Sequence, residues 1–120
     1  MKIAVTSVGR DLSSDTDPRF GRAAYFIMVN PDTMTFEVVE NQQNIELPQG
    51  AGIQAGKTLI DHGANALITG FCGPKAFHLL QRAGVKVMTC GRCRVEDAIQ
   101  KYKHNELDSI TQPNQEGHWV

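Results

Sequence analysis

Residues 66–89 read ALITGFCGPKAFHLLQRAGVKVMT and decide the fold, because they contain a complete strand–helix–strand unit. The apolar residues 66–69 predict a short buried strand, and residues 85–89 predict a second one. Between them, Pro74 suits the first position of a helix and Gly84 suits the position just after its end. The helix has an apolar stripe at i, i+3, i+4 and i+7, formed by Ala76, Leu79, Leu80 and Ala83. Because such connections are right-handed and join parallel neighbours, we expect the two strands to be parallel.

The chain before this unit supplies three more strands. Residues 2–8 (KIAVTSV) are rich in β-branched side chains and predict a first strand, which we expect at the centre of the sheet beside the parallel pair. Residues 25–30 and 35–40 are also strand-like, and the turn-forming Pro-Asp pair at 31–32 between them predicts a hairpin.

Two more helices, two loops and a tail complete the predicted elements. One helix is marked by Ile53, Gly56 and Ile60 and ends at Gly63, and the other is marked by Val95, Ala98, Ile99 and Tyr102. The loops are polar and cover residues 10–22 and 41–52, and the tail over 110–120 is irregular. The resulting order, β-β-β-α-β-α-β-α, predicts a mixed α/β sandwich.

Composition describes an ordinary globular chain. The 120 residues carry 12 Lys and Arg against 13 Asp and Glu, a formal net charge of −1, and 41% are hydrophobic. We therefore expect one domain over residues 1–120 and exclude intrinsic disorder. The lack of a basic excess argues against nucleic-acid and membrane-surface partners. Because no apolar run is long enough for a membrane span or a signal peptide, we expect a cytoplasmic protein.

Three loops carry the chemistry-bearing residues of this chain. Residues 7–22, 70–74 and 90–94 each follow a predicted strand of the central group, and the carboxyl ends of parallel strands share one edge of a sheet. All three cysteines and several arginines lie in these loops. An odd number of cysteines in a chain with no secretion signal argues against a disulfide framework. Buried thiols, a metal or cluster site, and redox chemistry remain open.

The same loops predict a site for an anion. Residues 70–74 and 90–94 each lead into a helix N-terminus, where unpaired N–H groups and a partial positive charge favour a negative ligand. Gly70, Gly73 and Gly91 allow the backbone to approach that ligand closely. We also expect cysteines in this electropositive setting to have lowered pKa values, which would favour a soft, sulfur-rich or thiophilic ligand over a plain phosphate.

Simpler explanations exist for each of these residues. Cys72, next to an apolar strand, can be a small packed side chain. Cys90 and Cys93 form one C-x2-C pair, which suits metal binding or redox chemistry but lacks the further ligands of a structural zinc site. Arg19 and Arg22 can pair with aspartates of their own loop, Asp15 or Asp17. We find no catalytic constellation and expect a protein that is not an enzyme.

At the level of motifs, the chain resembles the dinitrogenase iron–molybdenum cofactor biosynthesis family. The segments that carry the resemblance are MKIAVTS, SDTDPRFGRAAYF, GAGIQAG, TGFCGPKAFHLLQRAGVKV and PNQEGHW, with RFGRA and GPKAF the most specific. Together they span nearly the whole chain, and they are most similar to the small stand-alone members, which include orange-protein-like chains. The resemblance implies a ribonuclease H-like three-layer α/β/α fold with three helices and a mixed five-stranded sheet of order 3-2-1-4-5.

The resemblance also implies a function and partners. It implies non-covalent binding or carriage of an anionic metal–sulfur cluster, of the molybdenum–copper sulfide, iron–sulfur or iron–molybdenum type. The implied partners are cluster-assembly or nitrogenase-cofactor proteins and MinD-like P-loop ATPases. Together with the loop analysis, it assigns ligand contacts to Arg19, Phe20, Gly21, Arg22, Cys72, Gly73, Gly91 and Arg92, and possible metal ligation to Cys72, Cys90 and Cys93.

Two departures from the family pattern bear on function. Many nitrogenase-cofactor carriers have His-Phe-Gly where this chain has RFG at residues 19–21, so a potential imidazole ligand is replaced by a guanidinium. Many relatives also lack a C-x2-C pair like Cys90 and Cys93. Three hypotheses therefore stand beside one another: a cluster carrier, a thiol–disulfide redox protein using that pair, and a regulatory partner of a MinD-like ATPase.

Overall fold

The computed structural model describes residues 1–41 and 50–112 and contains one mixed sheet with helices on both faces. The strands are β1 (Ile3–Ser7), β2 (Tyr25–Val29), β3 (Phe36–Glu40), β4 (Ala66–Thr69), β5 (Lys86–Thr89) and β6 (Asp108–Ser109). The helices are α1 (Ala51–Asp61), α2 (Pro74–Arg82) and α3 (Val95–Lys103). Every strand and helix predicted from the sequence is confirmed, with small shifts at the ends.

The sheet has the strand order β3-β2-β1-β4-β5-β6. β1 is parallel to β4, and β4 is parallel to β5, whereas the hairpin strand β2 is antiparallel to β1. The predicted order of the first five strands is confirmed. The prediction of five strands missed β6, two residues that pair antiparallel with the end of β5. Both residues of β6 are polar and exposed, so their sequence carries no strand signal.

Side chains of the central strands alternate between two hydrophobic cores, one on each face of the sheet. Along β1, Ala4 faces the core that contains the buried side of α1 and α2, while Ile3 and Val5 face the core under α3. The same alternation places Leu67 on the first face and Ile68 on the second. The α/β/α layering is thus confirmed, with two helices on one face and one on the other.

Two glycines in the left-handed backbone conformation end α1 and α2 at the positions that the sequence predicts. Gly84 follows α2 with φ of 79°, and Val85 N–H donates to the carbonyl of Leu80 at 2.9 Å, which is a Schellman ending. Gly63 has the same role after α1, with φ of 77°. These two endings turn the chain directly into β5 and β4, so they set where the parallel strands begin.

Two predicted features lie partly or wholly outside the described residues. They are the loop over 41–52, of which the structure describes only the ends, and the PNQEGHW segment of the tail. Among the helices of the described ranges, none combines the length and the apolar character needed to cross a membrane.

Candidate functional site

The loop between β1 and β2 crosses the carboxyl edge of the parallel strands and is anchored first to the β4–α2 loop. Phe71 N–H donates to the carbonyl of Pro18 at 2.7 Å, and Phe20 N–H donates to the carbonyl of Phe71 at 3.3 Å. The buried Thr6 hydroxyl donates to the carbonyl of Asp17 and is 2.9 Å from the Thr69 hydroxyl. Both strand ends therefore hold the middle of this loop in place.

The same loop is also anchored to the segment between β5 and α3. Thr16 N–H donates to the carbonyl of Cys93 at 2.8 Å. Val95 and Glu96, at the start of α3, donate their N–H groups to the carbonyls of Ser14 and Leu12, both at 2.9 Å. The expectation that this helix N-terminus offers those amides to a ligand is therefore wrong, because the loop already accepts both hydrogen bonds.

A cavity of about 330 Å³ lies where the three loops meet. Its position confirms that the three loops converge on one edge of the sheet. The residues that line it are Val8, Asp15, Thr16, Asp17, Pro18, Arg19, Gly70, Cys90 and Arg92.

Two arginine–aspartate pairs determine the electrostatics of this cavity. The Arg19 side chain is 63% exposed, whereas that of Asp17 is only 5% exposed, and Arg19 Nε lies 3.4 Å from Asp17 Oδ1. The same carboxylate oxygen accepts the backbone N–H of Arg19 at 2.9 Å. Arg92 is more exposed, at 86%, and its guanidinium is 4.0 Å from the carboxylate of Asp15. The cavity thus presents two exposed guanidinium groups, each next to one carboxylate.

Cys72 does not line this cavity. Its side chain is fully buried in the core on the α1 and α2 face of the sheet, and burial raises its pKa to about 12. A thiol in this environment remains protonated at neutral pH. The structure thus places Cys72 as a packed core residue, which is the simpler of the two sequence-based interpretations.

Cys90 and Cys93 lie on the opposite face of the sheet, against the core under α3. The neighbouring thiol of Cys93 and the hydroxyl of Thr16 act on the pKa of Cys90 in opposite directions, Cys93 raising it and Thr16 lowering it. Burial first, and then the charge of Cys93, raise the pKa of Cys90 to about 11. The expectation of lowered thiol pKa values is therefore wrong for Cys72 and Cys90, because loss of hydration outweighs the attraction of nearby cations.

The three cysteines do not form one metal site. Within residues 1–41 and 50–112, no group of three or more His, Cys, Asp or Glu side chains is arranged to hold a metal ion. The sheet separates Cys72 from the other two, so only Cys90 and Cys93 could share a metal ion.

Three other residues predicted to contact the ligand do not line this cavity. The Phe20 ring is 1% exposed and lies 5.8 Å from the Phe26 ring. Gly21 packs directly against the backbone of α1, where an added Cβ would be 2.8 Å from the amide nitrogen of Gly52. Arg22 is half-buried and its N–H donates to the carbonyl of Arg19 at 3.3 Å. Of residues 19–22 (RFGR), Arg19 is therefore the one that lines the cavity.

The two remaining predicted residues are glycines with different surroundings. Gly73 is buried and precedes α2 in an extended conformation, with φ of −72°. Gly91 is exposed, and nothing lies within 4 Å of the position that a Cβ would take. Sequence reasoning missed Thr16 as a cavity residue and retained Asp15 and Asp17 as partners for arginines. The sequence feature that could have identified these three residues is their position in the same polar loop as Arg19 and Arg22.

These features define a class: a small three-layer α/β protein with a polar, arginine-flanked cavity at the carboxyl edge of a mixed sheet. The family model for "Dinitrogenase iron-molybdenum cofactor" matches residues 1–105, and the chain belongs to this family.

Solved structures and one sequence relative agree with this assignment. The chain is similar to the apo form of the orange protein from Desulfovibrio gigas, with 43% identity, a TM-score of 0.92 and coverage of 95% of this chain and 96% of that one. It is also similar to a putative NifB protein from Thermotoga, with 36% identity, a TM-score of 0.82 and coverage of 95% and 97%. An uncharacterized protein of Methanocaldococcus jannaschii is 27% identical over 113 residues, 92% of each chain.

Proposed function

We propose that this protein binds and carries an anionic metal–sulfur cluster in the cavity between its three loops. The observation that carries the proposal is the pair of exposed guanidinium groups, Arg19 and Arg92, that flank this cavity. Guanidinium groups present several N–H donors in a fixed plane and are weakly hydrated, which suits a large, soft anion with many acceptor atoms.

The two arginines have different parts in this proposal. Arg19 is held by the buried carboxylate of Asp17 and keeps one side of its guanidinium turned to solvent. Arg92 and Asp15 are both exposed and 4.0 Å apart, and exposed pairs of this kind contribute little to stability. An incoming anion therefore recruits Arg92 at small cost, whereas Arg19 acts as a fixed contact.

The donor groups favour binding by charge and hydrogen bonds over chelation. Cys90 is the cysteine that lines the cavity, and its raised pKa keeps it protonated at neutral pH. A protonated thiol can donate a weak hydrogen bond to a sulfide of the cluster. This matches a cargo that is taken up and released whole, since no set of three protein ligands must be broken.

The relatives support this assignment. The D. gigas structure is described as the apo form of the orange protein. The family model and the Thermotoga structure carry the names of the iron–molybdenum cofactor and of NifB. In the present proposal the cluster is of the molybdenum–copper sulfide, iron–sulfur or iron–molybdenum type, and the protein is a carrier and not an enzyme.

Anaerobic reconstitution tests the proposal. The apo protein is mixed with tetrathiomolybdate and copper(I), or with iron and sulfide, desalted, and analysed for metals and for charge-transfer absorption. We expect stoichiometric uptake by the wild-type chain. The R92E variant should bind roughly tenfold more weakly or worse, since a charge-assisted hydrogen bond contributes about 1.5–3 kcal/mol.

The matched control for R92E is R82E, which makes the same charge change. Arg82 is exposed in the last turn of α2, at the opposite edge of the sheet from the cavity. R82E should bind as the wild type does. Absence of uptake by the wild-type chain, or equal losses in the two variants, would contradict a specific site at the cavity.

Partners follow from the role of carrier. We propose that the protein receives its cargo from, or delivers it to, cluster-assembly or nitrogenase-cofactor proteins, and that a MinD-like P-loop ATPase regulates this exchange. A pull-down with the wild-type chain, with and without bound cluster, tests this part. A cluster-dependent change in the set of captured proteins supports it, and an identical set contradicts it.

A second candidate function is thiol–disulfide exchange, which the contact between the Cys90 and Cys93 thiols favours. The raised pKa of Cys90 opposes it, because the thiolate is the form that attacks a disulfide. An insulin reduction assay with the wild type and C93S separates the candidates. Activity that disappears in C93S would support the redox function over the carrier function.

A further inference from the structure

The Cys90–Cys93 pair is a chemically distinct feature at the wall of the cavity. The backbone fixes both residues: Cys90 N–H donates to the carbonyl of Thr69 at 3.2 Å, and Cys93 N–H donates to Thr16 Oγ1 at 3.4 Å. The carbonyl of Cys93 accepts the N–H of Thr16 at 2.8 Å. Both side chains pack against the core under α3, and the interaction with the Cys93 thiol is one of the causes that raise the pKa of Cys90.

The surroundings of this pair restrict which metal ion it suits. In the described ranges no third His, Cys, Asp or Glu completes a metal-binding group with the two thiols. Zinc needs four ligands and hard cations need oxygen ligands, so neither fits. Thiolates select soft ions, of which copper(I) is the biological example that two sulfur atoms can satisfy.

One neighbouring cation favours the negative charge that such a site would carry, while burial opposes it. Two thiolates around one copper(I) ion leave a single net negative charge. The ammonium group of Lys101 on α3 acts on Cys90 and favours its charged form. The pair is half-buried against the apolar side chains under α3, and it reaches solvent through the cavity wall at Cys90.

We propose that Cys90 and Cys93 form a two-thiolate site for a single copper(I) ion, separate from the arginine contacts proposed for the anion. On binding, each thiol releases one proton to solvent and each sulfur forms one bond to copper. No electron is transferred, because the ion arrives as copper(I). The site uses residues of one short loop, so it needs no change elsewhere in the fold.

A competition titration tests the copper site. The fully reduced chain is titrated anaerobically with copper(I) in the presence of the coloured chelator bathocuproine disulfonate. We expect the wild type to withdraw one copper ion per chain from the chelator. C90S and C93S should each leave that copper with the chelator, while C72A, which removes the buried thiol on the other face, should withdraw it as the wild type does.

Copper-edge X-ray absorption of the loaded wild type gives a second readout that needs no variant. Two sulfur neighbours and no nitrogen neighbour support the site. Nitrogen neighbours, a third sulfur, or copper uptake that persists in C93S would overturn it.

The R92E variant separates this proposal from the cluster proposal. It should bind tetrathiomolybdate roughly tenfold more weakly or worse and retain the copper ion. If the wild type binds the anion but takes no copper from the chelator, the copper site is refuted and the carrier function stands. If the wild type takes copper from the chelator but never binds the anion, the carrier function is refuted and the copper site stands.

Discussion

Substitution of Gly70 by alanine tests whether close backbone contact builds the cavity. An added Cβ at Gly70 would lie 2.7 Å from Pro18 Cβ and 2.8 Å from both Pro18 Cα and the Pro18 carbonyl oxygen. An ordinary carbon–carbon contact is about 3.5 Å, so the two loops must separate by roughly 0.8 Å. That carbonyl also accepts the 2.7 Å hydrogen bond from Phe71, which the separation would lengthen.

The expected cost follows from these contacts. Overpacking of this kind costs about 1–3 kcal/mol, and part of a backbone hydrogen bond is lost in addition. For a chain of this length the entropy of unfolding is about 0.25 kcal/mol per kelvin, so Tm should fall by roughly 4–12 °C. Because Gly70 lines the cavity, G70A should also weaken tetrathiomolybdate binding.

Gly91 provides the matched control for G70A. It belongs to the neighbouring loop of the same site, its Cβ would meet nothing within 4 Å, and its φ lies outside the left-handed region. G91A should therefore change Tm by less than about 2 °C or raise it slightly, because alanine restricts the unfolded chain. Differential scanning calorimetry of the two variants measures the contrast. Equal Tm values would refute the idea that close contact between the 70–74 and 7–22 loops shapes the site.

Three further predictions concern packing and the buried thiols. F20A should lower the free energy of unfolding, measured in urea, by about 3–5 kcal/mol, because Phe20 is fully buried. F71A, at a residue that is 48% exposed, should lower it far less. Similar losses in the two variants would contradict the packing role of Phe20. The pKa of Cys72 is raised from 9.0 to about 12, so its contribution to stability is complete below pH 9 and is lost as pH rises towards 12. C72A should accordingly flatten the alkaline fall in the free energy of unfolding, and an unchanged slope would count against a buried neutral thiol. Since the pKa of Cys90 is about 11, its alkylation by iodoacetamide should accelerate about tenfold per pH unit from pH 7 to 10, as mass spectrometry can follow. A rate that levels off near pH 9 would show an ordinary thiol.

Sequence periodicity was sufficient for the first five strands and the three helices because each of these elements carries its own signal. The βαβ unit at 66–89 has buried strands, an apolar helical stripe and the glycine that ends the helix, and each agrees with the others. β6 has no such signal: Asp108 and Ser109 pair with β5 only because the chain returns to that edge after α3. Strands of two exposed polar residues are set by tertiary context alone.

The sequence predicts where the site lies in the fold but not which of its residues contact one another. That three loops share an edge follows from strand direction, which the sequence shows. Which side of the sheet a loop residue faces depends on the path of the chain beyond the strand end, and this separates Cys72 from Cys90. Likewise, composition marks residues 10–22 as a loop but gives no hint that Ser14 accepts a hydrogen bond from Val95 at the start of α3.

The balance of charge in the cavity has a consequence for how a carrier would work. Arg19 and Arg92 are matched by Asp17 and Asp15, so the cavity lining holds no large unpaired positive charge that would attract any small anion. An anion must replace the exposed Asp15–Arg92 contact, which is weak, while the buried Asp17 keeps Arg19 in position throughout. A large anion that reaches both guanidiniums gains two contacts, whereas a small one gains a single contact and competes with a carboxylate. Selectivity for size and reversible release then have one physical origin, which is the exchange of a weak internal ion pair for a contact with the cargo.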